Sequence, residues 1–310
     1  MSNAMPSVRD QSSMALTPAE LRLLDQRAKL ATGSAIQKVL SRPAPTLVSK
    51  VMERWCRARG RAYPTLATTF WGAPMHVVVP DRVSLTIMRY GFFEDDLTKV
   101  FALVLRPGMV FFDVGSHFGY FSLLASHLVG PSGQVHAFEP TPSTYEVVSK
   151  NLAPLAHARA NNVAVWREDS EMTFRDFGVE FSAFNSLGAS KLTQAELARA
   201  RVREVKVRAR SLDSYVAETG VAPDFLKIDT EGAELDVLRG MERLLAEKRP
   251  ALTLEVGDVG TQAGDRESRR VVDHMLARGY DAFELAGDRL VPHTPRERYD
   301  YGNILFGPRA

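Results

Sequence analysis

One cysteine, Cys56, occurs in 310 residues, so no intrachain disulfide can form and no cysteine-rich metal site can be built. That scarcity suits a reducing compartment, and a cytoplasmic location is expected. No apolar run approaches the roughly 18 residues that cross a bilayer, and the N-terminus shows no apolar signal core. An excess of one charge is also missing. The chain carries 39 Lys and Arg against 37 Asp and Glu, a net +2, which gives no reason to expect a nucleic-acid or a membrane partner. Internal repeats and low-complexity tracts are absent too. What remains has the composition of an ordinary globular protein, long enough to bury a full core.

The most informative stretch is MVFFDVGSHFGY, from Met109 to Tyr120. Four apolar residues run into Asp113, Gly115 and Gly119 bracket a turn, and FSLLASHLV follows with helical character. A continuous apolar run reads as a buried parallel strand, and ligands bind where the carboxyl end of such a strand meets the next helix. Gly115 lets a ligand approach the backbone, and the helix start offers unpaired N–H groups to an anionic group. The spacing D-x-G-x-x-x-G lacks the second close glycine of the dinucleotide fingerprint and the Lys of the phosphate loop. From Gly133 a second strand ends in Glu139, about 20 residues beyond the glycine loop, where a carboxylate can accept hydrogen bonds from both hydroxyls of a ribose.

Along the chain, the opening MSNA reads as a tag remnant and residues 1–16 as a polar, disordered tail. Residues 17–91 are expected to form an extension. Its helices start at Thr17-Pro18, run from Ala35 to about Leu40 and from Thr46 to Arg59, and stop at Gly60. They suit a lid, a dimer contact or a packing cap. Thr65 to Tyr90 reads as β-rich, a small hairpin ahead of the main fold. Residues 92–310 then form the main domain. It opens with a helix from Phe92 to Leu105, and its strands are expected near Val110, Val135, Ala164, Leu226, Leu252, Phe283 and Ile304. Arg201 to Arg210 alternates apolar and basic residues, as a half-exposed strand does. Phe181, Phe184, Asn185 and Ser186 lie in a loop suited to substrate contact. PDFLKIDTEGAELDVLRGMERLL, from Pro223 to Leu245, reads as a strand ending at Asp229, a turn with Glu231 and Gly232, and a helix.

The segments FDVGSHFGYFS, FEPTP, NNVAV, SLDSY, FLKIDTEGAELDVLRG and RPALTLEV together resemble the FkbM family of S-adenosylmethionine (SAM) dependent methyltransferases over roughly residues 92–306. KIDTEGAE is the most specific of them. The resemblance implies an α/β class I methyltransferase fold, Rossmann-like, whose seven-stranded, mostly parallel sheet has helices on both faces and a last strand inserted antiparallel. It also implies SAM as cofactor and methylation of a hydroxyl on a sugar or polyketide-type natural product. The positions matching the family's cofactor motifs are Asp113, Gly115, Ser116, His117, Gly119, Glu139 and Asn162. Two departures stand out: Ser116-His117, where Ala-Asn is common, puts an imidazole beside the expected methionine moiety, and Trp166-Arg167 reshapes the adenine edge.

Methylating an alcohol requires alignment, exclusion of water and a proton acceptor. Asp229 is the first candidate for that acceptor, with Glu231 and His117 next. His274, His293, Glu255 and Asp258 rank lower, as lone polar residues near strand ends are usually structural. No metal ligand set is assigned, although Asp229 with Glu231 could hold a divalent cation. The expected partner is a small hydroxyl-bearing molecule, and the N-terminal helices suit self-association. A nicotinamide oxidoreductase is the alternative for the same sheet, and a SAM-binding protein without catalysis is a third. An Asn-Pro-Pro-aromatic or Asp-Pro-Pro-aromatic motif for methylating the amino groups of bases is not present.

Overall fold

A computed structural model describes residues 15–176, 202–258 and 267–309. Three helices come first: α1 (Pro18–Thr32), α2 (Ala35–Ser41) and α3 (Pro43–Arg59). A hairpin of β1 (Tyr63–Thr68) and β2 (Pro74–Val79) follows, then α4 (Arg82–Tyr90) and α5 (Asp95–Val104). The core alternates β3 (Val110–Val114), α6 (Tyr120–Val129), β4 (Gln134–Phe138), α7 (Pro142–Leu152) and β5 (Ala158–Asn161). Next are β6 (Ala164–Val165), β7 (Ser170–Asp176), β8 (Arg203–Arg210), α8 (Leu212–Thr219), β9 (Phe225–Ile228), α9 (Glu234–Arg239) and α10 (Glu242–Glu247). The chain closes with β10 (Ala251–Val256), α11 (Glu267–Ala277), β11 (Tyr280–Ala286), β12 (Arg289–Pro292) and β13 (Gly302–Pro308).

The main sheet has the order β12-β11-β13-β10-β9-β3-β4-β5. Strands β3, β4, β5, β9 and β10 are parallel, and β13 runs antiparallel between β10 and β11. Seven of these strands make the expected arrangement, and β12, which the sequence pattern does not announce, adds an eighth at the edge. Side chains alternate across the central strands, so Phe111 and Phe225 enter one buried cluster while Phe112, Val114, Leu226 and Ile228 enter the other. Each buried side chain of this kind contributes roughly 1.5–3 kcal/mol, which holds the carboxyl tips of β3 and β9 in fixed register.

Thr17 caps α1 in a capping box with Glu20, and Gly60 ends α3 in the left-handed region. Two expectations need correction. The stretch from Thr65 to Tyr90 is β only up to Val79; Asp81 then accepts the Ser84 N–H and caps α4, because the apolar residues that follow recur at helical spacing. Ala158 to Trp166 is not one strand. It breaks after Asn161, and Ala164–Val165 leaves the main sheet to pair with β8 in a small sheet ordered β6-β8-β7. Phe181, Phe184, Asn185 and Ser186 lie outside the described residues.

The extension packs into the main core. Leu16, Leu24, Met75 and Val77 share one buried cluster with Phe101, Phe111 and Phe121. Buried Asn151 of α7 pins the hairpin beside the glycine loop: its side chain accepts the His76 N–H at 2.6 Å and donates to the carbonyls of His76 and Phe118 at 2.9 and 2.8 Å.

Candidate active site

Adjacent strands β3 and β9 are the point at which the sheet is built outward in opposite directions, and a crevice opens beyond their carboxyl ends. Gly115 follows β3 with φ 76°, and a Cβ there would lie 1.8 Å from the Asp229 carbonyl oxygen. The two loops therefore meet backbone to backbone, which only glycine allows. Gly119, at φ 85°, serves packing instead: a Cβ would meet Val148 Cγ2 of α7 at 2.7 Å. The resulting cleft is lined on one side by Gly115, Ser116, His117, Glu139 and Thr141, and on the other by Asp229, Glu231 and Glu255. Met75, Val83, Phe93 and Glu94 from the extension and its junction complete the wall.

Asp113 lies beneath the cleft, wholly buried, and fastens the loop. Its Oδ2 accepts the Ser122 hydroxyl at 2.6 Å, and its Oδ1 stands 3.8 Å from Lys227 Nζ. Lys227 is the tie between the two loops, because its ammonium also donates to Asp229 Oδ2 at 2.9 Å and to the Gly115 carbonyl at 3.3 Å. Burial by itself would pull this amine down, but the carboxylates of Asp229 and Asp113 outweigh burial and hold it charged. Alternation along β9 puts Lys227 and Asp229 on the same side, so this pairing was readable from sequence.

Glu139 sits at the tip of β4 with both oxygens in use, accepting the His117 N–H and the Thr141 N–H at 3.0 Å each. Burial raises its pKa to about 7, and the two N–H donors offset only part of the rise. Asn162 does not reach the cleft. Its amide donates to the carbonyls of Glu139 and Pro140 at 2.9 Å each, so it fixes the turn that carries Glu139. His117 occupies positive φ (50°), and burial drives its imidazole down to about 3. That lowering makes it a weaker proton acceptor than an ordinary imidazole. Trp166 lines the cleft as well.

At the opposite end, Asp229, Glu231 and Glu255 offer carboxylate oxygens that all lie within 4.8 Å of one another. Glu234 takes the N–H groups of Thr230 and Gly232, at 2.8 and 3.1 Å, and so caps this turn. The proton affinity of Glu255 is pushed well up by burial and then by the carboxylates of Asp229 and Glu231. An all-oxygen set of this kind suits a hard divalent cation. Sequence reasoning ranked Glu255 low because its neighbours arrive from a different strand tip. It missed Glu94 altogether. This residue holds positive φ (45°) ahead of α5, and its carboxylate accepts the Tyr301 hydroxyl at 2.7 Å and the Asn303 amide at 3.3 Å. No local pattern marks a glutamate whose partners are some 200 residues away.

A nucleoside with a charged amino-acid tail finds complementary groups here. Among the described residues, Ser116 Oγ is buried in the loop without a hydrogen-bond partner, and Glu139 closes the other end. A family model described as the methyltransferase FkbM domain matches residues 113–282, more than half of the chain. The chain belongs to the FkbM methyltransferase family. SAM is therefore the cofactor, and the nicotinamide alternative falls away. The chain is 31% identical over 183 residues to the 31-O-demethyl-FK506 methyltransferase FkbM of Streptomyces tacrolimicus, covering 52% of this chain and 70% of that protein. It is 26% identical over 194 residues to the 2-O-methyltransferase NoeI of Sinorhizobium fredii, covering 60% and 77%. A crystal structure of a methyltransferase FkbM from Methylobacillus flagellatus aligns with TM-score 0.41 at 15% identity, covering 73% of this chain and 55% of that one. Among the described residues of this FkbM-family chain, no helix is long and apolar enough to cross a membrane.

Proposed function

We propose that the protein moves the SAM methyl group to a hydroxyl oxygen of a small molecule, a sugar or a polyketide-type natural product. The observation that carries this reading is the convergence of Asp229, Glu231 and Glu255 at one end of the cleft, within 4.8 Å of one another, where a hydroxyl would need a proton acceptor. The two relatives, a 31-O-demethyl-FK506 methyltransferase and a 2-O-methyltransferase, support the same acceptor chemistry.

Bound SAM supplies an electrophilic methyl on a sulfonium. Glu139 would hold the ribose hydroxyls, Ser116 Oγ would hold the amino-acid end, and Trp166 would border the adenine. Asp229 would take the hydroxyl proton, oriented by the Lys227 ammonium. The rings of Phe93, Phe121 and Tyr301, which line the cleft, would limit the entry of water. Asp229, Glu231 and Glu255 would also hold a divalent cation, and a chelator arm separates the two readings. The test is methyl transfer to a panel of hydroxylated sugars and macrolactones, followed by mass of the product. Methylation at nitrogen or carbon only, or SAM binding with no transfer to any acceptor, would remove the proposal.

Because burial raises Glu139 to about 7, S-adenosylhomocysteine (SAH) affinity is expected to fall as pH drops below about 7, where the carboxyl gains a proton and loses an acceptor site. Glu139→Ala should weaken SAH by roughly 1.5–3 kcal/mol per lost ribose hydrogen bond, before water compensates, and should flatten that pH dependence. Calorimetry between pH 5.5 and pH 8 (about one unit and more either side of the transition) reads both. Wild-type affinity in the variant would sink the ribose assignment.

A further inference from the structure

The net charge of +2 conceals an uneven distribution. Residues 33–62 carry seven Lys or Arg and one acid, a net +6, so the rest of the chain stands at −4. The single acid, Glu53, is already paired with Arg57 at 3.0 Å and Arg89 at 2.7 Å. Helix α3 buries Thr46, Ser49 and Cys56, and turns an apolar stripe outward on its other side: Leu47, Val48, Val51 and Trp55 are 65, 50, 58 and 43% exposed. At 100° per residue these four fall within about a 100° arc. Exposed Lys50, Arg54 and Arg57 border one side of the arc, and Arg59 borders the other with its guanidinium 5.3 Å from the Trp55 ring. Tyr63 extends the stripe by an edge contact with Trp55 at 5.5 Å, and Ile36, Val39 and Leu40 add exposed apolar surface on α2.

An exposed aliphatic and aromatic face rimmed by arginine and lysine has the pattern of a helix that lies in a membrane interface. We propose that the outer face of α3, with its neighbours on α2 and β1, docks on an anionic lipid bilayer, the apolar stripe entering the headgroup boundary and the basic rim meeting lipid phosphates. A second copy fits less well, since two-fold pairing of this face would bring two +6 segments together. A nucleic acid would satisfy the arginines and leave Leu47, Val48 and Val51 in water. The whole-chain charge had argued against a membrane partner; the local +6 reverses that expectation. The face lies apart from the residues lining the cleft, so the inference does not rest on the methyl acceptor.

The test is co-sedimentation of the full chain with vesicles of phosphatidylcholine alone or mixed equally with phosphatidylglycerol. Partitioning is expected to be at least ~10-fold stronger on the anionic vesicles and to weaken in high salt. Each basic residue near such a surface is worth roughly fivefold, so Lys50→Glu with Arg54→Glu should lower partitioning at least ~20-fold. Leu47→Ser with Val51→Ser should lower it at least ~10-fold, the sites being exposed and the unfolding temperature serving as a check on folding. No binding, equal binding to both vesicle types, or binding that survives both pairs of substitutions would overturn the proposal. So would light scattering that shows a dimer dispersed by Leu47→Ser with Val51→Ser in a protein that ignores vesicles.

Discussion

Asp229→Asn is expected to keep SAH affinity within a few fold of wild type while lowering methyl transfer by roughly 10²- to 10⁴-fold, the span of a lost general base. The amide retains the shape of the carboxylate and an oxygen that can still accept from Lys227 Nζ, now 2.9 Å away, so the tie between the loops persists. What disappears is the negative charge and the capacity to take a proton. Single-turnover rates with saturating SAM, beside calorimetry with SAH, separate the two quantities. If Asp229 instead holds a cation with Glu231 and Glu255, chelator should abolish wild-type turnover and added Mg²⁺ should restore it. Turnover close to wild type in Asp229→Asn, with no effect of chelator, would make Asp229 structural. Attention would then pass to Glu255, whose raised proton affinity comes from burial and the two neighbouring carboxylates.

Gly115→Ala should cause the largest loss of stability of any single-methyl change in the cleft. Its Cβ would fall 1.8 Å from the Asp229 carbonyl oxygen, and the obstacle is backbone, which cannot rotate away as a side chain can. The residue also sits at φ 76°, where an L side chain is strained by roughly 1–2 kcal/mol. Overpacking adds roughly 1–3 kcal/mol, so a total near 2–5 kcal/mol is expected, against a typical folding stability of about 5–15 kcal/mol. The same displacement would part the β3 and β9 loops, and the thermal shift produced by SAH should vanish. Urea unfolding with and without SAH measures both effects. A change under about 0.5 kcal/mol with the ligand shift intact would show that the two loops need not touch.

Much of the site was legible because its chemistry lies next to regular structure. An apolar run that ends in Asp113 with a glycine two residues later, and another that ends in Glu139, each say where a strand stops and a helix begins. FLKID says the same of Asp229, and period-two alternation places Lys227 beside it. The roles within those motifs were less legible. Asp113, Gly119 and Asn162 match cofactor positions in the sequence, yet in the fold they act one layer back: Asp113 anchors Lys227 and Ser122, Gly119 admits Val148, and Asn162 holds the turn of Glu139. A linear pattern records that a residue belongs to a loop and does not record which way its side chain leaves it.

The sequence by itself placed the central strands along the chain and the three strand tips beside the cleft, because apolar periodicity and glycine turns are local properties of the chain, and its motifs carried the resemblance to the family and its α/β fold. Only the tertiary structure decided that Glu255 joins Asp229 and Glu231, and that Glu94 reaches across to Tyr301 and Asn303. It also decided that His117 lines the cleft half-buried, with desolvation lowering its proton affinity, and that the apolar stripe of α3 faces out instead of in. These depend on which elements the sheet order makes neighbours and on how much water each side chain keeps. Both are set by packing between segments far apart in the chain, where no local pattern can record them.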